Sequence, residues 1–272
     1  MVRPKQLTPR RLADYRANAP VKNILNRRIE NLSDFFSVVD AFLQSNNDRD
    51  TFWYRGHAQF GWLLTPTALR HADENVRKKA LSLVHEFKRV AMLRLGQEER
   101  PRGGDDDLQW LGLAQHYGLP TRLLDWSENP TIGLYFACLG ADKDGAVFLL
   151  NPADLNFSAI KKPRILRADS DAAELLSYVN LLPRSRAKRP TVAMHPVYNS
   201  GRILLQKGAF TIHGNKRIAL DEKQAPSLVC LPILKEHKSK LASELDRIGV
   251  DEMALFPDPE HVCRHLKKRI GM

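Results

Sequence analysis

The sequence predicts an α+β domain in which a mixed sheet is flanked by helices, and three observations predict it. Segments with apolar residues at helical spacing alternate with short aromatic or β-branched runs bounded by turn residues. The second half is richer in strand-like pieces and closes on two more helical segments. No long Gly/Ser or Pro-rich linker and no internal repeat divides the 272 residues, so the chain reads as one domain over 31–272, preceded by a basic N-terminal extension over 1–30. An apolar fraction of 43% and a charged fraction of 27% are those of an ordinary globular chain, which excludes disorder of the whole.

In order along the chain, Leu32, Phe35, Phe36, Val39, Phe42 and Leu43 predict a core-facing helix that Asn31, Ser33 or Asp34 can cap. Thr51 to Tyr54 reads as a strand ending in a turn at Gly56, which puts Arg55 at a strand end. The stretch Glu74 to Leu95, free of Gly and Pro, is the longest predicted helix. Asp105 to Asp107 lead into another that ends near Gly118. Thr121 to Trp126 is a predicted buried strand, and Ser127 or Asn129 with Pro130 opens a helix through Leu139. Gly145 to Leu150 reads as a strand and Ala172 to Leu182 as a helix. Thr191 to Val197, Arg202 to Leu205, Ala209 to Ile212 and Leu228 to Leu231 follow as strands, and Lys238 to Ile248 and Pro259 to Ile270 as helices.

Cys138, Cys230 and Cys263 are far apart and lack metal-ligand spacing, so they read as small buried hydrophobes. No apolar run marks a signal peptide or membrane span, and the expectation is a cytoplasmic protein with no membrane partner. A net charge of +11 and a pI near 9.7 favour an anionic partner: a nucleotide, a nucleic acid or an acidic protein. The excess lies in two places. One is the segment from Arg10 to Arg28; the other runs from Lys161 to Arg167 and from Arg184 to Arg189. Neither run interleaves with the aromatic residues that a single-strand stacking platform uses.

Gln115, His116, Thr121, Arg122, Asp125 and Asn129 crowd hydrogen-bonding groups into an otherwise apolar stretch. Left unpaired, each would cost about 1–3 kcal/mol. Either they form a buried network, with Arg122 paired to Asp125 and His116 capping a strand, or they surround a ligand. Other simple motifs are absent: there is no Gly-x-Gly-x-x-Gly or phosphate-loop pattern, and no serine or cysteine nucleophile has a recognisable setting beside His116. His261 and His265, four residues apart, lack the glutamate and third ligand of a zinc hydrolase, so no metal is expected.

Three clusters carry a family resemblance. They are Trp53-Tyr54-Arg55-Gly56-His57 with Leu64-Thr65-Pro66 and Arg70; Leu113 through Trp126 with Asn129-Pro130 and Tyr135-Phe136-Ala137; and Arg202 through Gly214. The chain resembles the FRG domain family, named for its aromatic-Arg-Gly signature. More distantly it is similar to ADP-ribosyltransferases of the arginine-serine-glutamate type. That similarity implies an ADP-ribosyltransferase-like, mainly antiparallel sheet, NAD as cofactor, and a conflict, toxin or defence role, since the family is known largely from bacteria and phages.

The resemblance assigns candidate roles. Arg55 would contact the nucleotide phosphates, with His57, Gln115 and Arg122 in the same cleft. Asp125 would orient Arg122 or the ribose, Ser127 would meet the nicotinamide side, and Gln206 and His213 would line the acceptor side. Asp125, Gln206 and His116 are the catalytic candidates. An Arg fork suits pyrophosphate oxygens, and a carboxylate suits an oxocarbenium-like centre. The chain departs from the pattern at the glutamate, whose position falls near Arg202, with Gln206 four residues on. Asp125 and Glu128 are the acids that could substitute. A non-catalytic nucleotide-binding domain, or an interaction module using the basic surface, is the alternative.

Overall fold

The computed structural model describes residues 28–45, 51–96, 100–101, 107–179, 189–196, 201–215, 219–221, 228–256 and 258–270. The basic extension through Arg27, the predicted helix end at Leu182, the basic residues Arg184, Arg186 and Lys188, and Val197 lie outside them.

In chain order the elements are α1 (Leu32–Ser45), β1 (Trp53–His57), a 3-10 turn (Thr67–Leu69), α2 (Glu74–Ala91), α3 (Asp107–His116), β2 (Leu123–Ser127), α4 (Pro130–Cys138) and β3 (Gly145–Leu150). There follow α5 (Pro152–Ile160), β4 (Leu166–Arg167), α6 (Ala172–Val179), β5 (Val192–His195), α7 (Gly201–Leu205), β6 (Gly208–Ile212) and β7 (Leu228–Ile233). The helices α8 (Lys235–Arg247), α9 (Glu252–Leu255) and α10 (Pro259–Arg269) close the chain. The strands form one 7-stranded sheet in the order β4-β5-β6-β2-β1-β3-β7. Its ladders are antiparallel except β4 with β5. The predicted mixed sheet flanked by helices is therefore observed.

Alternation along the strands divides the core. Tyr54 pairs with Ser127, so the face that Tyr54 shares with Leu123 is covered in two halves. On one, α1, α4 and α8 pack Phe35, Leu134, Ala137, Leu241 and Leu245 against Tyr54, Val147 and Leu149. On the other, α2, α3 and α6 pack Val84, Leu111, Ala114 and Leu175 against Leu123, Phe210 and Ile212. Trp53, Trp126, Ala146 and Phe148 line the opposite face with Leu155 of α5 and Leu64.

Several local signals are satisfied as the sequence suggests. Asn31 Oδ1 accepts from the Asp34 N–H at 2.9 Å, and Glu244 reaches across from α8 to accept from the Leu32 N–H at 2.7 Å, so α1 has two caps. Asn129 caps α4, accepting from the Thr131 N–H at 3.0 Å. The buried Lys238 ammonium donates to the carbonyls of Ala58 at 2.8 Å and Gly140 at 3.0 Å, tying α8 to the exits of β1 and α4.

Other expectations need correction. Arg202 to Leu205 is helical, in α7, and Lys207, at φ 43°, turns the chain back into β6. Arg55 sits in the middle of β1, not at its end. Gly56 is a strand residue whose missing side chain admits α4: a Cβ there would lie 1.9 Å from the Gly133 carbonyl oxygen. Cys138 and Cys230 are buried, but Cys263 on α10 is exposed. The sequence reading passed over α5, β4, α9 and the 3-10 turn.

Candidate functional site

The central strands diverge. β1 pairs with β3 over its whole length, from Trp53 opposite Leu150 to His57 opposite Ala146, but registers with β2 only at Tyr54 and Ser127. Toward Gly56 the β1–β2 seam opens, and the Arg55 side chain occupies it. Arg55 Nη1 donates to the Asp125 carbonyl of β2 at 2.6 Å, and Nε donates to His57 Nε2 at 3.0 Å. One guanidinium thus bridges two strands whose ladder has lapsed.

Because Arg55 Nε can only donate, His57 Nε2 must accept, and the proton sits on Nδ1, which faces the Trp62 carbonyl at 3.2 Å. Burial and the neighbouring Arg55 hold His57 well below its ordinary value, so the ring is neutral. Burial also lowers Arg55, while Asp125 pulls it back up.

Asp125 supplies the negative charge. Its carboxylate is 61% exposed and lies 3.7 Å from Arg55 Nη1. Gln115 Nε2, from the end of α3, donates to Asp125 Oδ1 at 2.9 Å, while Gln115 Oε1 accepts from the Thr121 hydroxyl. Thr121 Oγ1 in turn accepts from the Leu123 N–H at 3.1 Å. An exposed carboxylate is therefore fixed from behind by a chain rooted in the backbone of β2.

Arg70 is the member that the sequence reading quoted in the signature but left without a role. The Ala68 N–H donates to the Thr121 carbonyl at 3.0 Å, which fastens the 3-10 turn to the entry of β2. Arg70 Nε donates to the Thr65 carbonyl at 2.9 Å. Burial lowers its guanidinium and the field of Asp125 raises it, and its charge in turn depresses Arg55 and His57. The Arg55 guanidinium, one exposed carboxylate and one neutral imidazole thus share the open seam within the field of Arg70, a combination suited to an anionic ligand.

The other candidates are placed elsewhere. Arg122 is buried on the closed side of β2, where Nη1 donates to the His213 carbonyl at 3.0 Å, and burial brings it down to about 10. The expected Arg122–Asp125 pair does not form, since Asp125 meets Arg55 and Gln115. His213 is buried with Nε2 3.1 Å from Thr211 Oγ1, which also accepts from Trp126 Nε1 at 3.1 Å. Ser127 Oγ donates to the Gln206 carbonyl at 2.7 Å and accepts from the Asn129 N–H at 3.0 Å. Gln206 Nε2 donates to the Leu255 carbonyl at 3.0 Å. Of the three groups assigned to the nicotinamide and acceptor sides, Ser127 and Gln206 are thus engaged by backbone. His116 closes α3 with its ring against Tyr117. Glu128 lies beyond the C-terminal end of β2, its Oε1 3.6 Å from His195 Nδ1.

Among the described residues of the second-half basic run, Lys162, Arg164 and Arg167 are paired with carboxylates. Arg164 holds Asp171 through two bonds of 2.7 and 2.6 Å, Arg167 holds Asp169, and Lys162 holds Glu174. Among the described residues, no group of three or more His, Cys, Asp or Glu side chains could hold a metal ion. No helix among them is long and apolar enough to cross a membrane.

Comparison with known proteins bears on this geometry through one family. Curated proteins gave no match to the chain, and solved structures gave none either. The model of the FRG domain matches residues 50–145. That span begins just before β1 and ends at the first residue of β3, so it holds Arg55, His57, Arg70, Gln115, Thr121 and Asp125 together. The open seam thus lies within the part of the chain that is similar to the FRG domain.

Proposed function

We propose that the open β1–β2 seam binds NAD and that the domain transfers ADP-ribose from it, on an ADP-ribosyltransferase-like sheet. The observation that carries this reading is the juxtaposition of a largely buried guanidinium, Arg55, with an exposed and braced carboxylate, Asp125, 3.7 Å apart where the β1–β2 ladder lapses. Arg55, with Arg70 beside it, takes the pyrophosphate, because a guanidinium fork matches two phosphate oxygens at once. With no glutamate at the pattern's position near Arg202, Asp125 takes over its part from strand β2. It stabilises the positive charge that develops at the ribose C1′ as the bond to nicotinamide breaks. Nicotinamide leaves with the electron pair of that bond, an acceptor oxygen or nitrogen forms the new bond to C1′, and the acceptor's proton passes to Asp125.

One observation favours a second reading, a nucleotide-binding domain without turnover. Ser127 and Gln206, which would hold the nicotinamide side and the acceptor, are both bonded to backbone. Incubating the full chain with NAD and following free nicotinamide separates the two. Release that falls to background in Arg55→Ala and Asp125→Ala supports transfer. Saturable NAD binding without release supports the second reading, and absence of binding removes both. The basic-surface alternative, binding of nucleic acid or an acidic protein, predicts affinity that falls steeply with salt and survives Arg55→Ala.

A further inference from the structure

Three of the four tryptophans are where an indole belongs in a folded core: Trp53, Trp110 and Trp126 are 0%, 2% and 3% exposed. Trp62 is 39% exposed. It does not lie at a loose loop tip. The Trp62 N–H donates to the Gln59 carbonyl at 3.1 Å, and just before it the Phe60 N–H donates to the Asp144 carbonyl at 2.7 Å. Just after it, Leu64 is held on both sides: its N–H donates to Asp221 Oδ1 at 3.0 Å, and its carbonyl accepts from the Leu220 N–H at 3.0 Å. The loop is therefore braced at both flanks and presents a large aromatic surface to solvent.

That surface adjoins the open seam. The Trp62 indole stands edge-on to the His57 ring, centroids 6.1 Å apart and planes at 65°, and His57 Nε2 is 3.0 Å from Arg55 Nε. One imidazole separates the exposed indole from the guanidinium. An aromatic plane set at that remove from the Arg55 guanidinium has the layout of a nucleotide's two recognisable ends, a flat base and a charged phosphate chain. Every base has a π-face, and stacking on an indole needs no hydrogen-bond readout. A platform already fixed by its loop loses little freedom when it is covered.

We infer that Trp62 is the stacking platform for the base of a bound nucleotide, which makes the seam selective for a nucleoside diphosphate moiety over a bare pyrophosphate. The inference rests on the reading of the seam as the site of nucleotide phosphates, and adds to it the end of the ligand that Arg55 does not touch. It also assigns a role to a residue outside the aromatic-Arg-Gly signature. The Trp62 group that hydrogen-bonds His57 is the backbone carbonyl, so replacing the side chain keeps the bond that orients His57 toward Arg55.

The test uses the full chain, with ADP and inorganic pyrophosphate as probes, titrated by calorimetry into the parent, Trp62→Ala, Trp62→Phe and Arg55→Met. Loss of one base–aromatic stack weakens ADP by about tenfold in Trp62→Ala. Pyrophosphate affinity stays at the parent's value, and Trp62→Phe recovers most of the ADP affinity. ADP also shields the tryptophan emission of the parent from acrylamide, because the other three indoles are buried already. ADP binding that is lost in Arg55→Met but unchanged in Trp62→Ala overturns the inference and leaves the seam reading standing. A parent that binds no ADP overturns both.

Discussion

Strand β2 is treated differently along its two edges, and each edge has its own arginine. Toward β6 the ladder is complete, from Leu123 opposite Ile212 to Ser127 opposite Gly208, and the buried Arg122 extends it by donating to the His213 carbonyl. Toward β1 the ladder is a single register pair, and Arg55 takes the place of the missing bonds while keeping 17% of its side chain exposed. The two residues are chemically identical and both lie in the family-matched segment. What separates them is the state of the seam. A guanidinium at a closed seam serves backbone acceptors in the core, and one at an open seam has a face left for a ligand.

The comparison can be broken at β1 itself. Gly56→Ala drives a Cβ to 1.9 Å from the Gly133 carbonyl and 2.5 Å from the Ala137 nitrogen, both backbone atoms of α4. Overpacking that neither partner can relieve costs roughly 3 kcal/mol or more, which a chemical denaturation midpoint measures. Next in size is Arg122→Met. It removes the donor from buried carbonyls, a loss of roughly 2–3 kcal/mol, and the variant, once folded, keeps the nucleotide affinity of the parent. A variant that stays stable but loses binding would put Arg122 at the ligand and erase the distinction between the seams.

Much of the open seam was legible before the fold. Arg55, His57, Gln115 and Asp125 were named from the signature and from the crowding of polar groups, and the structure brings them together. What failed did so for identifiable reasons. Gly56 was read as a turn because glycine commonly ends a strand, whereas here it records the close approach of α4, a partner some eighty residues on that local pattern cannot reveal. Ser127 and Gln206 were assigned to ligand from their types alone. Whether a hydroxyl or amide is already engaged depends on which carbonyl folds against it, here Gln206 and Leu255. Arg202 to Leu205 has the composition of a strand and forms a helix, since short apolar runs fit either period. Arg70 was visible in the motif, but the Ala68–Thr121 bond that fastens its turn to the entry of β2 joins residues more than fifty positions apart.

A smaller effect sharpens the account of how Arg55 is held. His57 is neutral in the folded protein, with its value well below the ordinary 6.5. As pH falls through 6.5 the unfolded chain takes up a proton that the folded chain refuses. His57 therefore contributes stability that is present above 6.5 and lost as pH falls toward its folded value, by up to about 1.4 kcal/mol per pH unit. Denaturation midpoints of the parent and His57→Gln between pH 7 and 5 isolate this contribution as the difference of the two slopes, with the variant's the flatter. Equal slopes would mean that His57 titrates normally and does not hold Arg55 as a neutral acceptor.

The central claim is that the lapse between β1 and β2 makes Arg55 a ligand-binding arginine. Calorimetric titration of NAD into the parent and Arg55→Met tests it most directly, with the denaturation midpoint of each as control. The account predicts saturable binding to the parent, weakened roughly 10- to 100-fold in the variant for the loss of charge-assisted bonds. It predicts a stability change of about 1 kcal/mol, as for the loss of one hydrogen-bonding side chain. A variant that binds NAD as tightly as the parent, or a parent that binds none, would contradict it.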